Sequence, residues 1–594
     1  MPESSLRAMP MTPSTAVSLR APAHHAGTPG LLEFPDELLL AICAYLDTRT
    51  LFLFLQVNRR LHHTCLPTCF TRLGIKNGPG RHIKFTLGET PKYDEEGEGT
   101  GCIDVLSLLN IAFHVKQVER LACHVVVPAG PDITGAFRDL ARLEQWVRRL
   151  GGLKNVQLSF DNDSCYCCLP HDAQLDEDSD WFREEWLEGW TARMGGLMGA
   201  LVEKTAEVVK VQGGKYLSHL HVYRHVRSGR GHLPKPTATP LESLRLLLKG
   251  RKERKTIMPQ VLVEPLAVLH GDHWEFKRAR EALGGASYVI PVPQPLAHTN
   301  SELRHLNIQS IMFLMPPLLQ WTVSTLQYSN IQKLTLDNLT INHKVWPCIF
   351  TLISNAAPNL AELELKKLRQ ITATDLLNFL GRLPRLKILS IGRDVDSYDS
   401  YDLCPFPDLP ELISLHAPAN WIYKLLSAHR QGLECLETLH IAYRLRNDGL
   451  SHWSQVSTAP SIPGLLQAQK RPLTVAVEVV MGGSPGWRMF EDFNGIQCGQ
   501  VAPNPDVALI SSMTLIVSEE FARDDLRLWS VLPRWLALFT ALKHLRVTGH
   551  NGWVDEEGTL GALAEAVDMA GLKLVTLELN GKAAVKGSRK VTPA

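Results

Sequence analysis

The spacing LxxLxL returns down most of this chain and restricts its architecture more than any other feature. It occurs at Leu153-Val156-Leu158, Leu217-Leu220-Val222, Leu241-Leu244-Leu246, Leu303-Leu306-Ile308, Ile331-Leu334-Leu336, Leu360-Leu363-Leu365, Leu386-Leu389-Ile391, Leu436-Leu439-Ile441, Leu542-Leu545-Val547 and Leu574-Leu577-Leu579. The copies beginning at Leu303, Ile331, Leu360 and Leu386 lie 28, 29 and 26 residues apart. The step from Leu386 to Leu436 is 50 residues, which fits two units with a degenerate copy at Leu409-Leu412. The alternation within each copy is that of a short strand with one face buried. Helical patterns lie between copies, as at Thr374 to Leu380, before Pro384. A unit this small cannot bury its apolar face alone, so neighbours must stack, with a parallel sheet along the concave side. The expected fold class is α/β.

The leucines of such strands point into the core, so alternate residues must face outward. That places Lys333, Thr335 and Asp337, then Glu362, Glu364 and Lys366, then Ile388 and Ser390, then Thr438 and His440 on the concave face. Repeat proteins bind partners on such faces, which makes Thr335, Glu362, Glu364, Lys366, Ser390 and His440 the candidate contacts for a protein cargo. The acidic loop at Asp394 to Asp402 is the alternative.

A different pattern occupies Leu32 to Arg72. Pro35 suits a first helical turn, and Asp36 and Glu37 complement the positive end of its dipole. Beyond them Leu38, Leu39, Leu40, Ile42, Cys43, Tyr45 and Leu46 are apolar nearly all round the helix. Asp47 or Thr48 offers an N-cap for a second helix through Leu51 to Leu55, and a third runs from Val57 through Leu61 and Cys65 to an expected end at Pro67. A unit of this size has more apolar surface than its own small core can hide, which marks a docking surface.

The residues Phe34-Pro35, Glu37-Leu38-Leu39, Ile42, Tyr45-Leu46-Asp47, Leu51, Leu55 and Val57-Asn58-Arg59-Arg60-Leu61 resemble the F-box. This is the module that binds the Skp-type adaptor of cullin-RING ubiquitin ligases. The resemblance implies a small three-helix F-box with Phe34, Pro35, Leu38, Leu39, Ile42, Leu46, Leu51, Leu55, Val57 and Leu61 as adaptor-binding residues. With the repeats, the chain resembles the leucine-rich-repeat class of F-box proteins, with divergent repeats of the kind common in fungal chains. The implied fold is an F-box followed by an irregular leucine-rich-repeat-like α/β solenoid. The implied function is recognition of a target protein for an SCF-type E3 ligase, or an F-box scaffold without a degradative role.

The expected organisation is a disordered tail at 1–30, the F-box at 31–73, and a linker and divergent repeat-like region with insertions at 74–300. Repeats follow at 301–581, interrupted at about 446–505 and resuming at Met513-Leu515-Val517, with a disordered tail at 582–594. Over 594 residues, 62 basic side chains balance 61 acidic ones, which gives no global attraction to nucleic acid or an anionic membrane. No apolar run suits a membrane span and sparse cysteines suit a reducing compartment, so the cytoplasm or nucleus is expected.

Catalytic and metal patterns are weak. Cys165, Cys167, Cys168 and His171 have zinc-type ligands without the second pair that a structural site needs. Asp394, Asp396, Asp399 and Asp402 lack the glycine and terminal glutamate of a calcium loop, and His270 and His273 could contribute two metal ligands from one turn with nothing else to support a site. The glycines at Gly97, Gly99 and Gly101 sit among acids that repel phosphate. No metal, no cofactor and no enzymatic activity are expected, since GxSxG, HExxH and P-loop motifs are missing.

Overall fold

Local capping sets the first three helices. The structure, a computed structural model, describes residues 31–75, 81–87, 104–126, 134–160, 184–213, 267–270, 273–277, 287–291, 302–314, 318–341, 345–392, 395, 407–428, 433–444, 473–481, 509–517, 532–533, 536–537, 539–549, 556–584 and 592–593. The chain divides into two compact units, residues 1–76 with 93–108 and residues 77–92 with 109–594. The first holds α1 (Asp36–Tyr45), α2 (Thr48–Val57) and α3 (Arg59–Arg72). Asp47 caps α2 by accepting from Thr50 N at 2.8 Å and from the Thr50 hydroxyl at 2.6 Å. Those bonds, the hydroxyl's first, hold its carboxyl below the usual value. Asn58 caps α3 by accepting from Arg60 N at 2.7 Å, a type of contact that contributes about 1 kcal/mol. Pro35 stands at the N-cap of α1, one residue before the helix begins.

Two features of α3 depart from expectation. Pro67 lies inside the helix, which continues to Arg72. The missing N–H and the ring clash cost about 3 kcal/mol, but Leu66, Cys69 and Phe70 around it are all buried, and each such side chain contributes about 1.5–3 kcal/mol. Burial wins, and the helix runs on. Arg72 then uses its guanidinium to close the C-terminus of α1, donating to the carbonyls of Cys43 at 2.9 Å, Ala44 at 2.7 Å and Leu46. A cation there also complements the helix dipole.

The second unit is built on one long sheet. Its strands are β1 (His82–Leu87), β2 (Gln117–Val125), β3 (Gly152–Phe160), β4 (Thr205–Gly213), β5 (Ala267–His270), β6 (His273–Lys277), β7 (Ser287–Pro291), β8 (His305–Gln309), β9 (Lys333–Asp337), β10 (Glu362–Lys366), β11 (Ile388–Ile391), β12 (Ser414–Pro418), β13 (Thr438–Arg444), β14 (Thr474–Met481), β15 (Ile510–Val517), β16 (His544–Gly549), β17 (Thr576–Leu579), β18 (Lys582–Ala584) and β19 (Thr592–Pro593). Fourteen of them, β1 to β4 and β8 to β17, are parallel neighbours in chain order. Helices in the connections make this a solenoid-like α/β arrangement. β5 to β7 form a separate antiparallel sheet within the chain between β4 and β8.

Register explains the leucine spacing. Leu306, Leu334, Leu363, Leu389, Leu415 and Leu439 are successive Cα partners across β8 to β13, and all are buried. Each strand therefore completes its neighbour's core, as stacking requires. Between β9 and β11 the core is aromatic: Trp346 stacks on Phe350 at 5.0 Å and Phe350 on Phe379 at 4.4 Å, joining the helices Trp346–Ala356 and Ala373–Gly381.

The boundary expected at 300 does not divide the sheet, because β4 pairs directly with β8. The degenerate copy lies three residues later than expected, as Leu412-Leu415-Ala417, with Ala417 in the last apolar position. The expected interruption contains β14 at Thr474–Met481. The expected C-terminal tail contributes β18, which turns back at Gly581 (φ 82°) and pairs antiparallel with β17. The copies at Leu217 and Leu241, the Gly97–Gly101 stretch, the Cys165–His171 cluster, Asp394, Asp396, Asp399 and Asp402, and the tail at 1–30 lie outside the described residues.

Candidate binding surfaces

The first surface belongs to the three-helix unit. α3 packs on both α1 and α2, and Leu39, Cys43, Leu51, Leu55, Leu61 and Cys65 are buried. Of the ten residues expected to bind a partner, Leu39, Leu51, Leu55 and Leu61 therefore hold the helices together and offer no surface. Pro35, Leu38 and Val57 are exposed, and Phe34, Ile42 and Leu46 are half-buried. Leu40, Leu53 and Tyr45, outside the ten residues that the resemblance implies, are also exposed apolar residues, Tyr45 at 91%. Leu38 and Tyr45 are seven residues apart on α1, and Leu53 and Val57 four apart on α2, so each pair shares one side of its helix. The rim is polar: Arg60 pairs with Asp36 at 2.9 Å and donates to the Phe34 carbonyl at 2.7 Å.

The second surface is the polar face of the long sheet. Register sets Lys333 beside Glu362, Thr335 beside Glu364 and Asp337 beside Lys366. The next partners are Ile388 for Glu362 and Ser390 for Glu364. The expected outward set is thus one ladder, in the expected register. Its middle rung continues from Ser390 to His416 and then His440.

Thr335 is the exception, being 2% exposed. The neighbouring side chains close over it: its hydroxyl donates to Glu364 Oε2 at 3.0 Å and lies 3.0 Å from His305 Nε2. Glu364 also meets Lys366, and Lys333 stands 3.8 Å from both Glu362 and Glu364. Burial alone would raise the Glu364 carboxyl. The Lys366 bond and charge, the Thr335 bond and the Lys333 charge outweigh it and hold the group below its usual value.

Burial, reinforced by the Lys333 charge, lowers His305 to about 4 from 6.5. An imidazole neutral in the folded chain gains a proton on unfolding below its ordinary value, so its contribution is complete above pH 6.5 and is lost as pH falls towards 4. The wild type is expected to lose on the order of 1 kcal/mol more than His305→Gln between pH 7 and pH 4.5, the full shift being discounted for solvent screening. Urea unfolding midpoints of both proteins at the two pH values measure this. Parallel losses would contradict it.

The fold also assembles a group that no motif announces. His416 on β12, His440 on β13 and Glu478 on β14 bring one donor atom each within 4.8 Å of one another. The two imidazole rings stack at 4.1 Å and 8°, and His440 Nε2 lies 3.8 Å from Glu478 Oε2. His270 and His273 are instead register partners at the turn of the β5–β6 hairpin. Among the described residues no helix is long and apolar enough to cross a membrane. No protein-family model matches the sequence, and no curated protein matches it.

Proposed function

We propose that this protein is the substrate-recognition subunit of an SCF-type cullin-RING ubiquitin ligase, an F-box protein of the leucine-rich-repeat class. Its three N-terminal helices dock on a Skp-type adaptor, and its repeat face holds a target protein. The observation that carries the reading is the three-helix unit itself, on which Leu38, Leu40, Tyr45, Leu53 and Val57 are exposed. Several exposed apolar side chains on so small a unit are what a desolvated protein contact uses. The solenoid-like sheet supports the second half of the reading, because its polar face presents side chains from neighbouring strands side by side. Catalysis in such an assembly is proximity, supplied to other subunits. Affinity purification of the full chain with mass spectrometry should recover adaptor, cullin and cargo together. Recovery of partners without adaptor or cullin would count against the reading.

Cargo selection is assigned to Glu362 and Lys366, whose side chains are 38% and 47% exposed, with Ser390 the register partner of Glu364 beside them. Exchanging the charges by Glu362→Lys with Lys366→Glu should weaken cargo capture at least tenfold. Adaptor binding should be untouched; because Lys366→Glu removes the cation beside Glu364 and sets a like charge there, stability should fall by on the order of 1 kcal/mol. Glu364 is left in place because its carboxylate accepts from the Thr335 hydroxyl. Undiminished capture of every cargo by the exchanged protein would move recognition to the loops at the strand ends.

A further inference from the structure

We propose that His416, His440 and Glu478 form a divalent transition-metal site on the polar face of the sheet, with zinc as its metal. The inference rests on geometry alone and is independent of the adaptor reading. Two imidazoles and a carboxylate are a preferred zinc donor set, and three protein ligands leave a fourth position for water or another oxygen or nitrogen donor. The donors come from three consecutive strands, so the backbone hydrogen bonds of the sheet fix their spacing. His416 and His440 are direct register partners. Glu478 is the partner of Ala442, two residues beyond Ala476, which faces His440. It therefore approaches His440 diagonally, a separation that a long side chain spans.

The positions beside the three donors carry Ser390, Ala442, Ala476 and Thr514, so small or hydroxyl side chains flank the cluster. Bonds of about 2.0–2.1 Å to each ligand require donor atoms roughly 3.4 Å apart. The donors lie within 4.8 Å of one another, and the two stacked imidazoles must turn out of parallel for both to reach one ion. All three residues are half-buried, which reduces competition from water. Two neutral imidazoles and one carboxylate carry a net charge of −1, which suits a dication, and affinity should fall as pH drops because the ligands must be deprotonated.

The test is titration of zinc chloride into the metal-free full chain carrying Cys165→Ser, Cys167→Ser and Cys168→Ser, which removes the thiol cluster. One zinc per chain is expected, with affinity falling at least a hundredfold in His416→Gln with His440→Gln and at least tenfold in Glu478→Gln. Cobalt(II) in place of zinc should give visible ligand-field bands without thiolate charge transfer. Equal zinc affinity with and without the histidines would overturn the proposal. So would a thiolate band as the main cobalt signal. Should the double histidine variant fail to fold, the cysteine-substituted chain decides the matter: failure to take up one zinc at micromolar concentration overturns the site.

Discussion

Leu38→Lys combined with Val57→Lys should lower affinity for a Skp-type adaptor more than a hundredfold while leaving the three helices folded. Leu38 is 52% exposed and Val57 72%, so neither supports the unit's own core, and stability should change by about 0.5 kcal/mol or less. In a docked complex each would lie in a desolvated contact. Losing a buried apolar side chain costs about 1.5–3 kcal/mol, and forcing an ammonium into the same place costs several more. At 1.4 kcal/mol per factor of ten, the pair exceeds two orders of magnitude. Leu55→Ala is the contrasting variant. Its side chain is 2% exposed, and the cavity left behind should cost about 2–5 kcal/mol of folding stability, so that adaptor binding fails with the fold. Circular dichroism melts alongside adaptor pull-down separate the two cases. Wild-type binding by the double lysine protein would show that α1 and α2 do not form the docking face.

Phe350→Ala should produce the largest loss within the sheet unit. Phe350 stacks on Phe379 at 4.4 Å and 9° and on Trp346 at 5.0 Å, joining two successive units of the stack. Emptying a fully buried phenylalanine site costs about 3–5 kcal/mol. Because stacked units depend mainly on their neighbours, the damage should concentrate between β9 and β11. Hydrogen exchange should accelerate across 346–391, with the first three helices unaffected. Uniform acceleration over the whole chain, or none, would contradict this nearest-neighbour account.

The α/β class and the strand register from β8 to β11 were legible because each copy places leucines at strict alternation, which only one register satisfies. β12 was misplaced because Ala417 stands where its neighbours carry Leu or Ile, so the spacing lost its last landmark. That error hid His416, and with it the His416–His440–Glu478 group, whose members are separated in sequence and meet only through strand pairing. β14 and β4 lack the full leucine spacing and depend on Val475, Val477 and Val479, or Val209 and Val211. In the N-terminal helices the pattern identified the apolar residues but not their sides. A helix apolar all round has no periodicity that separates Leu39, which faces inward, from Leu38, which does not. For Thr335, alternation fixes the outward direction, whereas its burial depends on His305 and Glu364 beside it.

Adaptor recognition is the central claim, and reconstitution tests it most directly. The purified full chain should be mixed with a purified Skp-type adaptor and followed by isothermal titration, with size exclusion to report stoichiometry. The account predicts a one-to-one complex that survives the column and is lost with Leu38→Lys and Val57→Lys. A folded chain that elutes alone, with no heat of binding at tens of micromolar adaptor, would contradict it.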